Sequence, residues 1–484
     1  MSVYGWGQFV RLGLAAALLA CLATSGWIAM DRGPDLGMAA LLATLGLGCA
    51  LIPMFRSERY DACEPATLIA LSVLIGTAIR TLFLLGSGSE EARAHLLLGQ
   101  PVEILLGAAI FVTLGLLFYA MGYLAVSRIS LTRPPAFLTT HWEWNETRLL
   151  TFLTVLLVVA LVSMWAFYRQ FAALVIIESL GDFSSKRFST VGDAAHRTAY
   201  GYLRWGASLS GIAVLFLTVA LARPSPRHVL LKLAMLVMAA GASVAFATFT
   251  SSRIELAVVF GGAGMAFLYV RGRVSVVTVG VLAAVLLGLF MAITSVRSKA
   301  SSDRGGIVET LVIDRHFLDV AKTALIRERF HGPDDFLYGS SYLALLVAPV
   351  PRVWWPEKPA VPLGPLVGEK VYGSRLGYGG VPPGMHGELW MNFGWVLLAP
   401  GMFVMGVVLR SVYEVFRVTS PLPNGALLYI GAIVPLAWGL PNRSAAAALV
   451  DAATSLIPVL AGVWFISYSS PRVLFRLGRQ PSAT

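Results

Sequence analysis

Charge is what this chain has little of. Only 13% of its 484 residues are Asp, Glu, Lys or Arg, against roughly 25% in an ordinary soluble domain. That deficit excludes a soluble enzyme, a disordered chain and a coiled coil. Cysteine is almost absent too: Cys21, Cys49 and Cys63 are the whole set. The first two fall inside apolar runs, so there is neither a disulfide framework nor a zinc site. No H-E-x-x-H, P-loop or βαβ-embedded G-x-G-x-x-G is present, which speaks against zinc proteolysis, ATP-driven transport and dinucleotide chemistry. Nor is there a D-x-D pair for a metal, only the adjacent Asp334 and Asp335 in an expected turn. No internal repeat divides the chain into similar halves, as it does in many transporters.

What the chain has instead is apolar length. Hydrophobic residues make up 57% and the mean hydropathy is +0.74. They fall in runs at 9–30, 36–54, 65–86, 101–127, 149–168, 202–222, 229–250, 254–270, 274–296, 387–409, 424–440 and 445–468. Each is long enough to cross a hydrocarbon core of about 30 Å as a helix. A transmembrane barrel would alternate in segments of about 10 residues. The expectation is an all-α polytopic membrane protein of about 12 transmembrane helices, one integral domain over 1–484. The first run lacks a basic cluster before it and an A-x-A site after it, so it reads as a span rather than a signal peptide.

The formal net charge is +11. In a soluble protein this would suggest nucleic acid. Here the excess sits in short loops, where it sets topology. With the N-terminus cytoplasmic, the inside segments carry Arg11, Arg56, Arg59, Arg128, Arg133, Arg148, Arg223, Arg227, Arg271, Arg273, Arg410, Arg417, Arg472, Arg476 and Arg479. The short outside loops carry only Arg32, Arg93, Arg253 and Arg443. Both termini are therefore expected inside, and the two longest loops, 169–201 and 297–386, outside.

A connection of that second length is usually functional. Its first part, GIVETLVIDRHFLDVAKTALIRERF, has a helical pattern, with Ile307, Leu311, Leu318, Ala321 and Leu325 near one face. It reads either as an amphipathic helix on the outer leaflet or as a helix packed on the span bundle. The second part is broken by Pro351, Pro356, Pro359, Pro362 and Pro365 and interleaves aromatic with basic residues. Trp354, Trp355 and Tyr342 are candidates to stack on sugar rings, with membrane-interface anchoring as the alternative. Arg352 and Lys358 here, Arg187 in the middle loop, Arg253 in the hairpin TFTSSR and Arg80 in the third span are candidates to grip phosphate. A charge inside a span is a functional hypothesis by default, although Arg80 has a possible structural partner in Asp451. Cations and aromatics gathered on one face suit an anionic lipid headgroup, above all a lipid-linked diphosphate sugar.

The string GSSYLALLVAPVPRVWWPEKP, a Gly-rich stretch and then HGELWMNFGW resemble the signature of oligosaccharide repeat-unit polymerases, the Wzy-type O-antigen and exopolysaccharide polymerases. The Ser/Arg turn of TFTSSR resembles a second shared feature, and the span layout is similar over most of the chain. The resemblance implies glycosyl transfer at the outer face of a bacterial cytoplasmic membrane, without metal or other cofactor. A hydroxyl of a new repeat unit would attack the anomeric carbon of a chain carried on undecaprenyl diphosphate. Partners would be that lipid-linked oligosaccharide and membrane lipid, with room for a chain-length regulator protein and none for nucleic acid. Arg253, Arg352 and Arg187 would hold the diphosphate, with Arg80 and Lys358 as second choices. Glu388 and the neighbouring His386 would be the catalytic residues, Glu388 as the general base with its pKa raised by burial near Met391 and Phe393. The structural alternative for Glu388 is an ion pair or a carboxylate at a helix N-terminus. O-antigen ligases share the layout and differ in the acceptor; a lipid-linked sugar flippase is the rival from another class.

Overall fold

A computed structural model describes residues 2–56, 60–86, 97–126, 142–174, 197–224, 226–250, 253–288 apart from 283 and 286, 319–350, 354–355, 357–358, 363–373, 381–417 and 422–469. It is helical almost throughout. Ten of its helices are long and apolar enough to cross a membrane. In hydrocarbon a helix satisfies its own backbone, which is why these apolar runs take this form.

The long helices are α1 (Val3–Arg32), α2 (Pro34–Phe55), α3 (Pro65–Gly86), α4 (Ile104–Val126), α5 (Glu146–Leu174), α6 (Arg197–Ala222), α7 (Val229–Thr250) and α8 (Arg253–Arg271). Short helices follow in the late loop: α9 (Val320–Arg329), α10 (Ser340–Val347), α11 (Gly364–Lys370) and α12 (Gly384–Phe393). After these come α13 (Leu398–Arg417), α14 (Pro423–Asn442) and α15 (Ala445–Ile466). The strands β1 (Trp142–Trp144) and β2 (Ser467–Ser469) form a two-stranded antiparallel ladder. The run at 274–296 is described only in part, as a helix from 276. α8 is helical but is not among the ten.

Local chemistry explains the boundaries. Ser2, Asp319 and Ser444 are N-caps whose side chains accept backbone N–H bonds at the starts of α1, α9 and α15. Gly33, at φ +104°, followed by Pro34, turns α1 directly into α2. Inside α3, Leu74–Ile79 form a π segment that ends at Arg80. Such a bulge re-aims the side chains that follow it and is frequent at functional positions.

The expected span at 387–409 is not continuous. Gly394, at φ +58°, separates α12 from α13. α12 is thus a short helix outside the ten, buried over Gly384–Asn392. α4 shows where things sit along the bundle. Near its start Gly107 meets Arg327, half-way along Gly115 meets His386, and near its end Tyr123 lies under Arg410. α12 therefore lies against the first half of α4, and α13 begins beside its middle.

The bundle has two polar ends. At one, the loop between α2 and α3 carries a buried network. Asp61 accepts from the hydroxyls of Tyr269 (2.5 Å) and Tyr413 (3.1 Å) and from the Cys63 N–H (2.8 Å). Glu64 accepts from Tyr123 (2.7 Å) and pairs with Arg410, which also holds Glu414. Tyr429 donates to the Cys63 carbonyl at 2.6 Å. The N-terminus belongs to the same end, since Arg11 donates to the Met54 carbonyl and Ser2 bridges Arg273. The opposite end carries the α7–α8 hairpin, the α14–α15 turn and the short helices of the late loop.

Candidate functional site

α12 is where the described part of the late loop enters the bundle, and Glu388 is its charged residue. Glu388 is 1% exposed. Its Oε1 accepts from the Ser341 hydroxyl of α10 at 2.9 Å, and its Oε2 accepts from the Ala445 N–H at 2.6 Å. Ala445 is the first residue of α15, so the carboxylate sits on the positive end of a helix other than its own. Burial pushes its pKa from the ordinary 4.5 up to about 7, and the two donors hold it from going further. No cation pairs with it among the described residues.

Asn392, one turn on, organises the surroundings. Its Nδ2 donates to Ser341 Oγ (2.9 Å) and to the Glu388 carbonyl (2.8 Å), and its Oδ1 accepts from the Gly339 N–H at 2.8 Å. The start of α10 is thereby fixed over Glu388. Tyr342 is near enough that burial, and then the Glu388 charge, raise its phenol pKa. Asn442, at the end of α14, accepts from Ser72 at 3.1 Å, in the first half of α3. That bond sets the α14–α15 turn, which presents the Ala445 N–H, against α3.

His386 does not join it. Two residues apart on a helix means about 200° of rotation, so His386 points to α4 while Glu388 points to α10 and α15. The imidazole is buried against Gly115 and Phe111. Burial lowers its pKa to about 4, so it is neutral at pH 7.

The cations fall elsewhere. Arg80 faces Asp319 at 3.3 Å, both buried. This corrects the expected pairing of Arg80 with Asp451: Asp451 is held by Arg443, eight residues earlier. Lys322 is buried in the same place. Burial is the larger cause that lowers its pKa to about 8, with Arg80 adding and Asp319 opposing. Two cations thus share one carboxylate at the start of α9. Of the two readings of that segment, packing on the bundle holds for Val320–Ile326, all buried; residues 307–318 lie outside the described residues.

Arg327, not anticipated from the sequence, is the most distinctive cation. Its guanidinium stands 4.6 Å from the ring centre of Trp390, 5.5 Å from Trp395 and 5.9 Å from Phe111. Its Nε is buried and makes no hydrogen bond, and no carboxylate pairs with it among the described residues. Trp390 is fixed in turn by donating to the Phe330 carbonyl at 2.7 Å. A cation held by aromatic faces keeps its N–H fork available to an anion.

Lys358 directs its ammonium at the carbonyls of Ala348 (2.6 Å) and Val350 (2.8 Å), closing the chain after α10. Trp354 and Trp355 are exposed. Arg187 and Arg352 lie outside the described residues, and Arg253 is described only as the first residue of α8. Signals for the missed residues were modest. Asn392 follows Glu388 by four, the spacing of one helix face. Arg327 stands in a segment whose aromatic partners, Phe111, Trp390 and Trp395, are far away in sequence. No family model, curated protein or solved structure matches the chain.

Proposed function

We propose that this chain is a metal-independent membrane glycosyltransferase that polymerises lipid-linked oligosaccharide repeat units at the outer face of a bacterial cytoplasmic membrane. The observation that carries the reading is Glu388, a buried carboxyl whose pKa of about 7 suits proton transfer near neutral pH. Glu388 accepts the proton of an acceptor hydroxyl. That oxygen bonds to the anomeric carbon of the lipid-linked chain, the bond to diphosphate breaks, and undecaprenyl diphosphate leaves. Arg80, Lys322 and Arg327 are the described cations that would balance the charge developing on the diphosphate, together with Arg253, Arg352 and Arg187. Tyr342, beside Glu388, is the aromatic best placed to meet a sugar.

The topology that goes with this reading has both termini cytoplasmic, about 12 spans and the late loop outside. Reporter fusions at the two termini and at residue 300 test it. The deciding experiment is the profile of lipid-linked saccharides in a strain lacking the protein. Single repeat units should accumulate. Long unattached chains would instead mean a ligase, and repeat units confined to the inner leaflet a flippase.

A further inference from the structure

α10 is a helix turned inside out. Its sequence SSYLALLV carries no charge. Ser341, held between Glu388 and Asn392, and the buried Ala344 face the protein. Leu343 and Leu346, three residues apart and so on one face, are 62% and 75% exposed. Tyr338, two residues before the helix, and Trp354, seven residues after it, are 58% and 80% exposed. In water an amphipathic helix buries its leucines; here Leu343 and Leu346 are exposed while Ser341 is buried, on a helix outside the ten candidate spans. Scattered exposed leucines need no explanation, but two on one face of a short helix, with an exposed aromatic in each flanking segment, do.

What covers this face can be read from its neighbour. α10 packs against α15, itself a candidate span whose outward residues Leu449, Ile457, Leu460 and Trp464 are exposed. The exposed leucines of α10 thus stand on a helix that adjoins that apolar surface. We propose that Leu343, Leu346 and Trp354 are seated in the acyl-chain region of the bilayer, so that α10 is the lateral cover between membrane lipid and Glu388. Apolar residues with an aromatic at the boundary are what such an interfacial helix presents to lipid. Only α10 then separates the carboxyl from the hydrocarbon. The inference stands on exposure and packing and is independent of the chemistry proposed above.

The test uses the full-length protein in phosphatidylcholine vesicles. Leu343→Cys and Leu346→Cys are each labelled with an environment-sensitive fluorophore, with the labelled wild type as background for the native cysteines. Glu328→Cys, on the exposed side of α9, is the water-facing control. Acyl-chain-brominated lipid should quench the labels at 343 and 346 and spare the one at 328, while iodide in the water should do the opposite. Iodide quenching at 343 and 346 overturns the proposal. So does protection from both quenchers together with energy transfer between labelled copies, which would place a second copy on this face. Leu346→Cys and Leu343→Cys report separately, so failure of one to fold leaves the other to decide.

Discussion

Glu388 owes its behaviour to what it lacks as much as to what it touches. It has two donors and no cation among the described residues, so burial dominates and its pKa rises to about 7. A base must be deprotonated to act. Glycan chain elongation by the purified protein should therefore fall as pH drops through about 7, and Glu388→Gln should abolish it at normal protein levels. The same shift affects stability. A carboxyl whose pKa is raised on folding favours the folded state below the unfolded pKa, and this contribution is lost as pH rises through the folded one. Between the ordinary 4.5 and about 7 that amounts to about 3 kcal/mol. Thermal unfolding in detergent at pH 5 and pH 8 should show wild type losing more stability than Glu388→Gln over that interval. An equal loss in both would mean that the carboxyl titrates normally. Arg327 invites a different measurement. Arg327→Lys keeps the charge but loses the planar fork that lies among three rings, so a requirement for the fork predicts a large loss of activity from it.

At the level of elements, α4 and α13 approach so closely that only glycine fits. A Cβ on Gly406 would lie 2.2 Å from the Tyr119 carbonyl oxygen, and one on Gly122 would lie 2.0 Å from that of Phe403. Small residues at such crossings let helix backbones meet in a membrane. Gly406→Ala and Gly122→Ala should each destabilise by about 1–3 kcal/mol or more through overpacking, read as a lower unfolding midpoint in detergent. Gly241→Ala in α7, where a Cβ meets nothing within 4 Å, should be neutral or slightly stabilising. This crossing also positions the site, because α12 joins α13 through Gly394 and leans on α4. That the apolar runs form long helices was legible in the hydropathy pattern. The break at Gly394 was not: a buried short helix and half a span have the same composition, and only a positive φ distinguishes them.

Over the whole molecule the two ends do different work. The Asp61–Glu64–Arg410 network ties the α2–α3 loop to α4, α8, α13 and α14 through side chains far apart in sequence. Removing one partner of a buried pair leaves the other uncompensated and typically costs about 3–5 kcal/mol. Arg410→Met should therefore be strongly destabilising, and Glu64→Gln in the same chain should restore part of the loss. Unfolding midpoints of the two single variants and the double variant give the coupling; simple additivity would mean that the pair is incidental. The carboxyl of Glu388 lies away from this network, beyond the middle of α4, so the tie at one end leaves α10 and α12 to be arranged separately at the other.

The sequence by itself determined the material: a charge-poor chain must put its apolar runs into helices, and the lone carboxyl of HGELWMNFG had to sit beside one of them. It also singled out Arg80 as a buried charge that would need a partner. Only the tertiary structure decided the partners, because most of them come from other segments, tens to hundreds of residues away. It gave Arg80 to Asp319 rather than Asp451, set Glu388 on the first N–H of α15, turned His386 to the far side of its helix and boxed Arg327 among three rings. Hydropathy is a property of each segment, whereas a hydrogen bond or an ion pair depends on which segments meet and at what rotation.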